Sequence, residues 1–110
     1  MSGSRSRSKG RRGETAAKRL LQERDFTILA DLAAGIASCD LLARDPNGGL
    51  HSVEVKNRET IPVKEAWEQA CKNTAKGTKA MLLAKIHGTS SWLVMRSGQR
   101  PVCWHERTQR

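Results

Sequence analysis

Tyrosine is absent from this chain of 110 residues, phenylalanine occurs once and tryptophan three times. Modules that bind nucleic acid by stacking bases on strand-borne rings need more exposed aromatics than that. Cysteine is sparse as well. Cys39, Cys71 and Cys103 are far apart, odd in number, and form no Cys-x-x-Cys pair. That argues against a zinc site or a disulfide framework and fits a reducing, cytoplasmic setting. No apolar stretch nears the roughly 18 residues of a membrane span. The basic N-terminus is followed by no hydrophobic signal region. Acids are also few, at 11 against 20 Lys and Arg, so the net charge is +9.

The positive charge is uneven. Residues 1–12 contain Arg5, Arg7, Lys9, Arg11 and Arg12 and no acid, which leaves the remainder at +4. A basic globule favours a polyanionic partner, most simply nucleic acid. The length is that of one domain. Residues 1–9 are Ser, Arg and Gly with one Lys after the initial Met, a composition that predicts a disordered basic tail. Residues 10–97 read as the folded domain and 98–110 as a polar tail, in which Cys103, Trp104 and His105 are too short a group to define a metal site.

The most informative stretch is Asp40 to Lys56. Two short apolar runs flank Asp45-Pro-Asn-Gly-Gly49, the form of a β-hairpin with a loop of about five residues. With that loop, Arg44 pairs with Leu50, Leu42 with Ser52 and Asp40 with Glu54. Paired residues share one face of the sheet, and Lys56, two residues beyond Glu54, shares it too. His51 falls on the opposite face. Two carboxylates set opposite each other repel. A hard divalent cation reverses the sign of that contact, and Lys56 supplies a point charge for a phosphate or an attacking hydroxide. The plainer alternative is an edge hairpin with solvated charges.

The rest of the chain supplies elements around this hairpin. Ala16, Ala17, Leu20 and Leu21 form a helical apolar stripe within a helix expected over 10–24. Glu14 lies at the edge of that stripe, where a first-turn acid is also favoured by the helix dipole. A strand is expected around Phe26-Thr-Ile-Leu29, then a loop of small residues through Gly35. After the break at Pro62, the residues Val63, Ala66, Trp67, Ala70, Cys71 and Thr74 mark a second helix, stopping by Gly77. Gln69 flanks its stripe, and a solvated Gln is the ordinary reading there. Lys79–Ile86 and Ser91–Arg96 read as two further strands. The order predicts an α/β fold: a single mixed sheet of about five strands flanked by helices.

Glu14 in a first helix, Asp40 opening a hairpin, Glu54-Val-Lys56 on its second strand and Gln69 in the next helix resemble the PD-(D/E)XK nuclease superfamily. With Lys9-Gly10-Arg-Arg-Gly-Glu14, Ala34-Gly35 and Asp40-Leu-Leu-Ala43, the chain looks most like the small Holliday junction resolvases of the archaeal type and their phage relatives. The resemblance covers roughly Lys9 to Trp92. It implies a restriction-endonuclease-like core and a Mg²⁺- or Mn²⁺-dependent endonuclease that cuts DNA phosphodiesters inside a bacterial, archaeal or phage-infected cell. It implies that Asp40, Glu54 and the backbone carbonyl of Val55 bind the metal. Glu14 completes the metal shell or holds its water, Lys56 orients or activates the nucleophile, and Gln69 supports the site. Arg5, Arg7, Lys9, Arg11, Arg12, Lys56 and Arg58 are the expected DNA contacts. Resolvases of this type are homodimers acting on branched DNA. A general or nicking DNase of the same fold, and a non-catalytic basic nucleic-acid-binding protein, are the alternatives.

Overall fold

The computed structural model describes residues 13–31 and 39–107. The elements run as helix α1 (residues 13–22), then strands β1 (Thr27–Asp31), β2 (Leu41–Arg44) and β3 (Leu50–Lys56), helix α2 (Val63–Lys72), and strands β4 (Lys79–Lys85), β5 (Ser91–Arg96) and β6 (Val102–His105). They form one six-stranded sheet in the order β1-β2-β3-β4-β5-β6. Only the β3–β4 pair is parallel, with α2 as its crossover; every other pair is antiparallel. The chain is therefore an α/β protein with a single mixed sheet.

The two helices lie on opposite faces, each over its own core. Ala17, Leu20 and Leu21 of α1 pack with Phe26, Leu41, Ala43, Val53, Met81, Leu83, Trp92 and Val94. Ala66 and Ala70 of α2 pack with Leu82 and Ala84, and Ile61, Trp67, Leu93 and Met95 border them. The second stripe is narrower than the sequence suggests: Val63 and Cys71 are exposed. Two alanines suffice there because a small side chain lets the helix sit close to the sheet. The helix also ends early, at Lys72, where Thr74 Oγ1 donates to the carbonyl of Ala70 at 2.8 Å.

Contacts at Asp25 and Gly13 fix where α1 sits. At the C-terminal end, Asp25 adopts a left-handed conformation (φ 67°), which Asp tolerates better than most residues. Phe26 N then donates to Leu21 O and Asp25 N to Gln22 O, a Schellman closure with Phe26 packed beside Leu21. At the other end, a Cβ on Gly13 would lie 2.8 Å from Asn57 Cβ. Only glycine lets the helix pass this close to the chain leaving β3. That contact sets the neighbouring Glu14 at the end of the sheet where the hairpin opens.

The hairpin register is the expected one: Arg44↔Leu50, Ala43↔His51, Leu42↔Ser52 and Leu41↔Val53. Asp45 fixes it. Its Oδ1 accepts from Asn47 N and Gly49 N, both at 2.9 Å, and its Oδ2 lies 2.8 Å from His51 Nε2. His51 is buried on the α1 side against Phe26, opposite in parity to Glu54.

One expectation is corrected. The segment read as a polar tail contains β6, which pairs with β5. Its apolar content is low, and its anchors are contacts distant in sequence. Arg24 and Arg96 both lie over the Trp104 ring, at 4.7 and 5.3 Å from its centre. Glu106 Oε2 accepts from Lys85 Nζ at 2.8 Å and from Trp92 Nε1 at 2.7 Å.

Candidate active site

Asp40 stands one residue before β2, and the register places it opposite Glu54. Its N–H donates to Val53 O at 3.0 Å. One step further the backbone ladder gives way to a side chain: Val55 N donates to Asp40 Oδ2 at 2.8 Å. The carboxylate is thus aimed across the start of the hairpin towards β3. Burial raises the Asp40 pKa above its ordinary value, against the Val55 hydrogen bond and the charge of Lys56, while Asp31 adds to the rise.

Glu54 is buried, with 5 % of its surface exposed. Burial and then the Asp40 charge push its pKa up; Lys56 and Asn73 oppose the rise. Its Oε2 lies 3.4 Å from Lys56 Nζ. Its Oε1 is buried with no hydrogen-bond partner. A buried acceptor left unmatched costs about 1–3 kcal/mol, and the Asn73 side chain is the nearby donor that favours the ionised form of this carboxyl.

Lys56 is held from two sides. Its ammonium donates to Gln69 Oε1 at 2.8 Å and faces Glu54. Gln69 therefore has a partner in the site, on a helix position that would otherwise be plain surface. Glu14 comes from the other layer of the protein. Its pKa is pushed up to about 7, by burial first, then by the charges of Asp40 and Asp31, with Lys18 opposing. Lys18 itself pairs with Asp31 at 3.0 Å.

The structure thus brings Glu14, Asp40, Glu54, Lys56 and Gln69 to one end of the sheet. Among the described residues, no group of three or more His, Cys, Asp or Glu side chains is placed to hold a metal ion. The direct donors on offer are two carboxylates, Asp40 and Glu54, and the Asp40 charge acts on Glu14. That set fits a hard cation which keeps several waters and takes one or two carboxylates plus substrate oxygens, as Mg²⁺ does.

Arg58 lies beyond Lys56 and borders, with it, a pocket of about 120 Å³ under the start of α2. Arg5, Arg7, Lys9, Arg11, Arg12 and Gly35 lie outside the described residues. Sequence reasoning missed Asn73, which follows α2 and favours the ionised form of Glu54. Its only sequence signal was its place one turn after Gln69. No helix is long and apolar enough to cross a membrane among the described residues. No family model, curated protein or solved structure matches the chain.

Proposed function

We propose that this protein is a divalent-metal-dependent DNA endonuclease, acting on branched DNA in the manner of a Holliday junction resolvase, and working as a homodimer. The observation that carries the reading is the buried, unmatched Oε1 of Glu54, set beside Asp40 and beside a lysine already fixed by Gln69.

Phosphodiester hydrolysis needs a nucleophilic water, stabilised negative charge and a proton for the leaving oxygen. Asp40, Glu54 and the carbonyl of Val55 would hold Mg²⁺ or Mn²⁺. When bound, such an ion supplies Lewis acidity and a nucleophile at neutral pH. The chain's own residues supply the geometry. Val55 N–H holds the Asp40 carboxylate in one orientation. Gln69 fixes Lys56, so that a cation faces the position of the attacked phosphate. Glu14, with a pKa of about 7, is able to hold a water by donating or accepting a proton near neutral pH. The branched-DNA preference and the dimer rest on the sequence resemblance. The charge of +9 supports a polyanionic partner.

The test is incubation with a four-way junction, duplex and single-stranded DNA in Mg²⁺, Mn²⁺ or EDTA. Cutting of the junction in Mg²⁺ or Mn²⁺ and none in EDTA is the expected result. Equal cutting of junction and duplex would make the protein a general DNase with the same site. Equal binding with and without EDTA, and no cutting of any substrate, would replace the nuclease with a basic binding protein.

A further inference from the structure

Away from the carboxylates, the edge of the sheet at β5 and β6 gathers guanidinium groups around one indole ring. Arg24 and Arg96 both lie over Trp104, with Cζ at 4.7 and 5.3 Å from the ring centre. Arg24 follows α1, Arg96 ends β5 and Trp104 lies in β6, so only the fold brings them together. Arg107 joins them, its Nη1 donating to the carbonyl of Glu23 at 3.0 Å. Burial, and then the Arg107 charge, lowers the Arg24 pKa against the opposing charge of Glu23, so the two guanidiniums are near enough to repel. Among the described residues, the one ion pair made to this group is with Glu23, 3.6 Å from Arg24 Nη1. Glu106 is taken up by Lys85 and Trp92.

The donors of these arginines are unevenly used. Arg24 donates to the carbonyls of Leu20 and His105, which fixes it in place. Arg96 makes no hydrogen bond or ion pair among the described residues. A cation–π contact holds a guanidinium through its charge and uses none of its N–H groups. Arg96 is therefore held by Trp104 with its N–H fork open to an acceptor, and that fork matches two oxygens of one phosphate. Trp104 packs with the α1 core, whereas the β4 neighbour of Glu54, Leu82, lies beneath α2. The cluster is thus on the other face of the sheet from Glu54, and β4 and β5 separate the two strands, three spacings or about 14 Å. Branched DNA, whose arms leave in several directions, can meet both faces. Resting on the DNA reading above for the choice of polyanion, we propose that Arg24, Arg96 and Arg107 around Trp104 form a second DNA contact, which grips backbone phosphates away from the cut without reading bases and without a metal ion.

The test is binding without catalysis. A fluorescein-labelled four-way junction is titrated with the full chain in EDTA, at salt concentrations from about 50 to 200 mM, and read by anisotropy. Wild type is compared with Arg96→Gln, Arg96→Lys, Arg107→Gln and Arg44→Gln, and circular dichroism checks each fold. Arg44 is exposed on β2, opposite in parity to the α1 core residues Leu41 and Ala43, so Arg44→Gln removes the same charge outside the cluster. Arg96→Gln is expected to reduce the slope of log K against log salt by roughly 0.9, one phosphate contact. Arg107→Gln should reduce it likewise, Arg96→Lys should keep it because the charge stays, and Arg44→Gln should leave it as in wild type. A slope for Arg96→Gln equal to that of wild type, or reduced no more than by Arg44→Gln, overturns the proposal, as does a wild type that does not bind the junction. Should Arg96→Gln not fold, Arg107→Gln is judged against Arg44→Gln in the same way. Junction cleavage by wild type in Mg²⁺ separates the two readings. Cutting with unchanged slopes keeps the nuclease and removes the second contact; reduced slopes without cutting keep the contact and remove the nuclease.

Discussion

Replacing Glu54 with glutamine should make the metal-free protein more stable and the enzyme inactive. The side chain keeps its shape and loses its charge. In the wild type that charge sits opposite Asp40, with one oxygen buried and unmatched. An unmatched buried acceptor costs about 1–3 kcal/mol, and part of that cost is already relieved because the acid is pushed towards its neutral form. The amide also keeps one group to satisfy, so the expected gain is near the lower end, about 1 kcal/mol. For a domain of this size that raises Tm by about 4–8 °C in EDTA. Magnesium should then distinguish the two proteins. It raises the wild-type Tm by mass action, about 2.7 kcal/mol at a hundredfold excess over Kd, and it should leave Glu54→Gln nearly unmoved. Cleavage of junction DNA in Mg²⁺ should fall to background, while gel shifts in EDTA stay equal or tighten, since an anionic pair facing the phosphates has one charge fewer.

Lys56→Ala is the control that gives this its force. It removes the cation 3.4 Å from Glu54 and leaves two carboxylates facing each other. Its Tm in EDTA should fall, its cleavage should vanish, and its DNA binding should weaken. Two residues apart on one strand, the substitutions abolish the same activity and move stability in opposite directions. A Glu54→Gln protein that melts lower than wild type in EDTA, or that still cuts near the wild-type rate, would show that Glu54 is a structural partner of Lys56 and not a ligand awaiting a cation.

Asp40→Asn should abolish cutting, whereas Asp45→Asn should leave it nearly intact, since Asp45 serves the turn and can still accept from Asn47 and Gly49 through Oδ1; cleavage assays on both variants decide it. Glu14, with a folded pKa of about 7 against 4.5, binds more protons folded than unfolded between those values, so stability in EDTA should decline as pH rises from about 4.5 through 7. Chemical denaturation across that range should show a flatter profile in Glu14→Gln, and an unchanged profile would place the titration elsewhere. Deleting residues 1–8, which removes Arg5 and Arg7, should weaken binding to all DNA sequences alike. Salt titrations should show the slope of log K falling by roughly 0.9 for each phosphate the shortened chain no longer neutralises.

The hairpin was legible because its signals are local. Asp45, Gly48 and Gly49 make a turn whose length sets the register, and the register then places Asp40, Glu54 and Lys56 by parity alone. The helix-borne residues are a different matter. Glu14 and Gln69 come from the two layers on opposite faces of the sheet, and no spacing in the chain says that either reaches the hairpin. What brings Glu14 there is a glycine contact, Gly13 on Asn57, legible only in three dimensions. The sixth strand was hidden for a related reason. Val102–His105 is only four residues long and mostly exposed, too short to show an alternating pattern of its own. Its place depends on Trp104 held between two arginines and on Glu106 bound to Lys85 and Trp92.

These contacts also explain why the site sits where it does. The sheet is covered on one face by α1 and on the other by α2, with Asp40 just before β2 and Glu54 near the C-terminal end of β3. There a side chain can be buried by its neighbours and still have one open direction. Glu54 reaches that condition through Leu82, its β4 neighbour beneath α2, and Asp40 through a backbone N–H that would otherwise continue the ladder. Each surrenders stability to hold a charge that the protein alone does not match. Lys56, fixed by Gln69, limits the cost on one side only, because it meets Glu54 Oε2 and leaves Oε1 empty. The donors nearby are Gln69, whose oxygen is already used by Lys56, and Asn73, which favours the ionised form of Glu54. On the nuclease reading proposed above, a cation held between Asp40 and Glu54 would give that oxygen its partner.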